Sequence, residues 1–508
     1  MLDRLATRPI LQLLMVIAVG AAAYLPFLGT RPLDFSEGHR AVPGWTMLES
    51  HDYWHIRMFG LTYFRKPPGM PWAIALSSAV FGESTFGARF PSALCAICMG
   101  GLAWWYGRRW FGKTGGLVAG LSQALMPLMW SPGRTAEIEM LNNLGTQMLA
   151  LGLIDVLVFQ TPRKNVRLRE EGPFGFVLEM CGASACVLVP VAGIMIAGLA
   201  KGPASAPVLG GVLVGACVAA RSIRTLARPR LGITLILAGG LLALLGMKIY
   251  LANSDPDAVR EDVAGQFLWN GKRVLGVATL IPAALASALP MSLGLFTKRL
   301  SRGPVEGAAD RVARTLAYSW LAAVGILVVC GVSNARYAMP AAVLLPLLVP
   351  FAASAARPWI EAARSRRRVF GSPVRWGLLM ALGALWYVVL TSVSPTQDQL
   401  AGVRAAQVFL GQSWDGRLWA NDAIEARPDV LWLLDHCDTH RGSVRWKKAE
   451  LRAGELPDAG DSLLLRTDAG SVEAKTYRPF IESGALRKRA VARIRDYELT
   501  MYTRSAPR

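Results

Sequence analysis

Long apolar runs, separated by short polar loops, occupy the chain from residue 10 to residue 394. They predict membrane-spanning helices at 10–28, 88–106, 116–130, 140–159, 174–200, 204–220, 231–252, 274–296, 313–332, 338–355 and 375–394. A hydrocarbon core about 30 Å thick sets the length such a run needs; the 116–130 run is short for it, and is expected either to tilt or to be bounded by interfacial residues. The apolar stretch Met70–Phe81 is too short to span. With Pro67, Pro68 and Pro71 at its start it predicts a helix lying at the membrane surface, inside a long first loop at 29–87. After residue 395 the composition becomes that of a soluble segment, and Leu431–Leu434, Ser462–Arg466 and Tyr497–Tyr502 predict short strands or helical pieces. The expected fold is an α-helical polytopic membrane domain of eleven transmembrane helices over residues 1–395. Its first extracytoplasmic loop carries interfacial helices, and a small C-terminal α/β soluble domain follows over 396–508.

The basic residues set the orientation. Arg4 and Arg8 precede the first run, and Arg108, Arg109 and Lys113 occupy a later loop. Arg163 to Arg169, Arg221 to Arg230, Lys298 to Arg302 and Arg364 to Arg368 then mark every second loop. The positive-inside rule places these loops and the N-terminus in the cytoplasm, and the first loop and C-terminal domain outside the inner membrane. One missed or extra span would break the alternation. Composition agrees: 53% of residues are hydrophobic, 18% are charged, and the mean hydropathy is +0.34. The net charge of +20 alone would suit nucleic acid, but its confinement to alternate loops is membrane topology and excludes that partner. Cys95 and Cys98 have CxxC spacing without a second such pair, which points to helix packing rather than metal or redox chemistry. Neither a Walker loop nor a GxGxxG fingerprint is present, so a soluble nucleotide-sugar site is not indicated.

Ionisable residues gather on the extracytoplasmic side. Asp34, Glu37, His39, Arg40, His51, Asp52, His55, Arg57, Arg65 and Lys66 lie in the first loop. Arg134, Glu137, Glu139, Lys201, Asn334 and Arg336 lie on later turns. Charged groups at a membrane boundary are costly unless paired or hydrated, so several converging on one side point to a site. Singly, Arg134 or Arg336 would read as a snorkelling anchor. A divalent metal held by Glu37, His39, His51, Asp52 and His55 is an open alternative, although the spacing matches no established ligand pattern. His436, Asp438 and His440 form a weaker candidate set.

The first loop contains Ser36-Glu37-Gly38-His39-Arg40, Met47-Leu48, His51-Asp52-Tyr53, Tyr63-Phe64-Arg65-Lys66-Pro67-Pro68 and Trp72, followed by Ala88-Arg89-Phe90-Pro91-Ser92. Arg134 and Glu139, Lys201-Gly202-Pro203, and Arg336-Tyr337 with Pro340 come later, each at an expected outer boundary. In this order the motifs resemble the GT-C class of membrane glycosyltransferases. The branch is that of the bacterial aminoarabinose (lipid A) transferase and the protein O-mannosyltransferases. The resemblance covers residues 30–340. This chain departs from the pattern where the family's Asp before Glu37 is Ser36, where the acid before Lys-Pro-Pro is Arg65, and where His39 and Arg40 replace Arg and Tyr.

The resemblance implies transfer of a sugar from a polyprenyl-phosphate donor, in the bilayer, to an extracytoplasmic lipid, glycan or protein acceptor by single displacement. The leaving phosphate needs its charge stabilised, which Lys and Arg at a membrane boundary supply. The acceptor hydroxyl needs a base, which a carboxylate supplies. Glu37 or Asp34 is the expected base. Lys66 and Arg336 are the expected phosphate ligands, with Lys201 or Arg65 assisting, and Glu139, Arg134 and Arg40 orient the substrate. Two other readings remain, a transporter or flippase of a lipid-linked substrate and a non-catalytic membrane scaffold. Against the transporter stands the placing of charge at one boundary rather than at the midplane.

Overall fold

The computed structural model describes residues 8–59, 61–64, 66–158, 173–253, 273–297, 300, 307–332, 335–353, 383, 397–412, 418–420, 427–435, 456–467, 472–494 and 497–505. The chain opens with α1 (Pro9–Tyr24), α2 (Phe35–Ser50), the short strands β1 (Arg57–Met58) and β2 (Leu61–Thr62), and α3 (Gly69–Phe81). There follow α4 (Thr85–Ala124), α5 (Ile138–Val158), α6 (Pro173–Lys201), α7 (Ala206–Ala220), α8 (Pro229–Ala252), α9 (Arg273–Ser287) and α10 (Ala308–Val329). The C-terminal part holds α11 (Gln397–Leu410), β3 (Leu418–Ala420), α12 (Pro428–Asp435), β4 (Ser462–Arg466), α13 (Val472–Glu482), β5 (Leu486–Ile494) and β6 (Tyr497–Arg504).

Among the described residues six stretches are long and apolar enough to cross a membrane: α4, α5, Val187–Ala220, α8, α10 and Arg336–Ala353. The chain is a multi-pass membrane protein. Apart from Gly383, the expected span at 375–394 lies outside the described residues. Two compact units are present. One comprises Met1–Pro26, Ser92–Tyr250 and Arg260–Val389; the other comprises Phe27–Pro91, Leu251–Val259 and Leu390–Arg508. The first loop thus shares a unit with the C-terminal residues.

In the first unit, small residues let helices approach closely, as lipid-embedded helices must when no hydrophobic drive pulls them together. The expected spans 88–106 and 116–130 are the two arms of α4, which reverses at Gly112 (φ +80°). A Cβ on Gly107 would lie 2.6 Å from the Ala119 Cβ, and one on Gly120 would lie 3.2 Å from the Gly100 carbonyl, so the arms pack face to face. The second arm ends at Ala124, short of the expected residue 130, because Pro127 and Pro132 open 3₁₀ turns there. A Cβ on Gly145 of α5 would lie 2.5 Å from the Ala197 amide of α6, and one on Gly211 of α7 would lie 2.5 Å from the Ser319 carbonyl of α10.

In the second unit, α2 starts at a capping box: the Asp34 side chain accepts from the Glu37 amide, and the Glu37 side chain accepts from the Asp34 amide. α2 ends where His51 turns left-handed (φ 55°). The stretch Met70–Phe81 is helical, as α3. It packs on α2 so closely that a Cβ on Gly44 would lie 2.9 Å from the Pro71 carbonyl. The loop between them is pinned by the buried Asn253, which accepts from the Ile56 amide (2.8 Å) and donates to the Trp54 carbonyl (2.8 Å). The C-terminal sheet has strand order β3-β4-β6-β5, with β3 parallel to β4 and the other pairs antiparallel. Its core is Trp419, Leu463, Leu465, Tyr477, Leu486 and Tyr502. Of the three C-terminal segments expected from the pattern, Leu431–Leu434 is helical and the other two are strands.

Candidate active site

The candidate residues fall into two polar clusters, one in each unit. In the second unit the cluster sits at the N-terminus of α2, where the helix dipole favours negative charge. Glu37 is fully buried and bound bidentately by Arg89, whose Nε and one terminal nitrogen each donate at 2.7 Å. Arg89 directs its remaining donors to the carbonyls of Leu28 (3.0 Å), Arg31 (2.9 Å) and Pro32 (2.8 Å). Glu37 and Arg89 therefore close the turn that leads into α2, and both Glu37 oxygens are occupied. Asp34 is half-buried; its Oδ1 accepts from the Ser36 hydroxyl (2.9 Å) and the Glu37 amide (3.0 Å). Among the described residues its Oδ2 accepts no hydrogen bond. Burial, with the adjacent Glu37 charge, pushes the Asp34 carboxyl above the ordinary carboxylate range, although its own bonds and Arg89 oppose this.

Arg40 and Lys66 are half-buried in the same unit, and Arg40 donates to the His39 carbonyl at 3.3 Å. Arg65 lies outside the described residues. The metal set weighed from sequence is not assembled. His39 packs its ring against Tyr63 at 5.6 Å, Glu37 is held by Arg89, and His55 Nδ1 pairs with Asp52 Oδ2 at 2.7 Å. Among the described residues no three His, Cys, Asp or Glu side chains converge as metal ligands. His436, Asp438 and His440 lie outside them.

In the first unit, Glu139 opens α5, Lys201 closes α6, and Arg336 opens the stretch to Ala353. Lys201 Nζ contacts Glu139 Oε1 at 2.9 Å, and Arg336 contacts Glu139 Oε2 at 2.8 Å and Glu137 at 2.9 Å. The ammonium also lies 4.8 Å from the Tyr337 ring centre, a cation–π distance. Arg336 remains 45% exposed while Glu139 is 5% exposed, so the carboxylates form a buried seat that presents the guanidinium outward. Cations held by fixed carboxylates at a membrane boundary are prearranged for an anionic headgroup. Arg134 behaves differently from its neighbours. It is buried and donates to the carbonyls of Tyr24 (3.0 Å) and Pro26 (2.7 Å), tethering the end of α1.

The structure therefore brings Glu139, Lys201 and Arg336 together, and separately Asp34 and Glu37. Sequence reading assigned no role to Arg89, Glu137 or Asn253. A lone arginine at the head of an apolar run was a legible signal for Arg89. Asn253 follows an apolar run as an ordinary polar residue, and nothing in its local sequence marks its clamp on the first loop.

Residues 65–219 match the family described as dolichyl-phosphate-mannose-protein mannosyltransferase. An undecaprenyl phosphate-alpha-4-amino-4-deoxy-L-arabinose arabinosyl transferase of Pseudomonas savastanoi pv. phaseolicola is 41% identical over 81 residues, 16% of this chain and 15% of the relative. A second such transferase, from Pseudomonas fluorescens, is 37% identical over 81 residues. The matched segment thus spans 15% of the length of these curated relatives. The crystal structure of ArnT from Cupriavidus metallidurans in the apo state superposes with a TM-score of 0.63 at 16% identity, covering 97% of this chain and 99% of that one. The same protein bound to undecaprenyl phosphate gives 0.64. The chain accordingly has the GT-C fold of ArnT, and residues 65–219 within it match the dolichyl-phosphate-mannose-protein mannosyltransferase family.

Proposed function

We propose that this protein is a membrane glycosyltransferase that moves a sugar from a polyprenyl-phosphate donor to an extracytoplasmic lipid, glycan or protein acceptor. It works in the inner membrane with its N-terminus in the cytoplasm and residues 396–508 as an extracytoplasmic domain. The observation that carries the reading is the Glu139–Lys201–Arg336 cluster, two cations seated on buried carboxylates at helix ends. The ArnT fold and the relatives' names support the donor class.

In this mechanism Lys201 and Arg336 hold the donor phosphate, and Lys66, Arg65 and Arg40 serve as further cationic ligands. Asp34 accepts the proton of the acceptor hydroxyl. The hydroxyl oxygen bonds to the anomeric carbon as the bond to the phosphate oxygen breaks. The electron pair leaves on the polyprenyl phosphate, and the anomeric centre inverts. Asp34 is preferred over Glu37 as the base because Arg89 occupies both Glu37 oxygens. The raised Asp34 carboxyl is the more basic for it.

Purified protein in liposomes, incubated with radiolabelled undecaprenyl-phosphate sugars and a bacterial membrane extract, tests the reading. Arg336→Ala and Lys201→Ala each lower transfer by roughly 10²–10³-fold, the usual cost of one charge-stabilising donor. Wild-type protein that binds the donor but neither transfers nor hydrolyses it would sink the enzyme reading in favour of a transporter or scaffold.

A further inference from the structure

A second ion cluster lies in the C-terminal part, away from the groups given chemical roles. Arg427 has no exposed surface. Its Nε and one terminal nitrogen donate to the two oxygens of Asp429 at 2.9 and 2.6 Å, and its other terminal nitrogen reaches Asp398 Oδ1 at 3.3 Å. The cluster joins α11, which starts beside Asp398, to the start of α12. Gly402 of α11 makes room for it: a Cβ there would lie 2.6 Å from Asp429 Oδ2 and would also strike the Arg427 guanidinium.

The same start of α12 rests on α2. A Cβ on Gly38 would lie 2.8 Å from the Asp429 amide nitrogen and 3.0 Å from Pro428 Cγ, so the start of α12 lies directly against the α2 backbone. Seven residues further, on the same face of α2, the buried Trp45 packs its ring against Trp432 with centroids 4.6 Å apart. Gly38 is one helical bond from the proposed base, because its amide donates to the Asp34 carbonyl at 3.1 Å. The buried ion cluster thus fixes a segment that abuts the first turn of the helix capped by Asp34.

We propose that Arg427, Asp429 and Trp432 are positioning residues for Asp34: the C-terminal part holds α2 in the register at which its capping carboxylate serves as base. This rests on the reading of Asp34 given above. Buried ion pairs contribute little net stability but specify one arrangement well, which suits such a device.

Two readouts test it on the full-length protein. The first is hydrogen exchange at the Glu37 and Gly38 amides, which needs no substrate. Arg427→Gln and Gly38→Ala raise exchange there at least tenfold, while Glu482→Gln, which breaks the exposed Arg478–Glu482 pair, leaves it unchanged. The second is turnover with undecaprenyl-phosphate sugars. Gly38→Ala and Trp432→Ala lower kcat at least tenfold, leave the donor KM within twofold, and shift the acidic limb of the kcat profile. Trp432→Phe restores both. Wild-type exchange and kcat in Gly38→Ala and Arg427→Gln overturn the proposal while Asp34→Asn still abolishes transfer. Altered exchange together with full activity of Asp34→Asn instead means that Asp34 is not the base, and the positioning role falls with it.

Discussion

Glu37 and Asp34 stand one helical turn apart: Arg89 closes on the first, and the second is the base we propose. Arg89 meets Glu37 with 1% and 0% of their side chains exposed, so removing either partner strands a buried charge. Arg89→Gln is expected to destabilise the fold by about 3–5 kcal/mol, read as a fall in the thermal unfolding midpoint in detergent. Asp34 is half-buried with its carboxyl raised, chiefly by burial. A base with a raised pKa is protonated, and therefore idle, over a wider acidic range. The acidic limb of kcat/KM is expected to lie above the ordinary carboxylate range and to disappear in Asp34→Asn along with the activity.

Between elements, close approach is the binding device, and glycines report it. Gly145→Val drives a branched side chain toward the α6 backbone, where even a Cβ finds the Ala197 amide at 2.5 Å. It is expected to cost more than the roughly 1–3 kcal/mol of ordinary overpacking, because backbone cannot rotate away. Gly240→Ala in α8 meets nothing within 4 Å and is expected to be neutral or to raise the unfolding midpoint slightly, since glycine weakens a helix interior by about 0.5–1 kcal/mol. The two variants, compared by thermal unfolding in the same detergent, separate tertiary approach from helix propensity.

For the whole molecule, the proposed orientation makes a direct prediction. In a variant whose native cysteines are replaced, Ser50→Cys in the first loop is labelled by a membrane-impermeant thiol reagent added to spheroplasts. Lys113→Cys, beside the Gly112 reversal, is labelled only after the membrane is opened. The opposite pattern would invert the topology and put the proposed phosphate cluster on the cytoplasmic side.

The sequence alone determined the membrane class and the C-terminal segment of soluble composition, because each depends on a local quantity, a run of apolar residues or its end. The break at Pro127, inside the run expected to reach residue 130, was decided only in the structure. The sequence also located Glu139, Lys201 and Arg336 as candidates, because charge beside an apolar run is conspicuous wherever it lies. Pairing was a different matter. That Arg89 closes on Glu37, 52 residues away, follows from folding the first loop onto the head of α4. That Asn253 clamps Trp54 and Ile56, and that Gly38 is a contact point for the C-terminal part, depend on segments 197 and 391 positions apart meeting in one unit. Local sequence encodes what a residue prefers to neighbour in the chain; the partners that satisfy a buried charge are chosen only when distant segments are packed together, and that was decided by the tertiary structure.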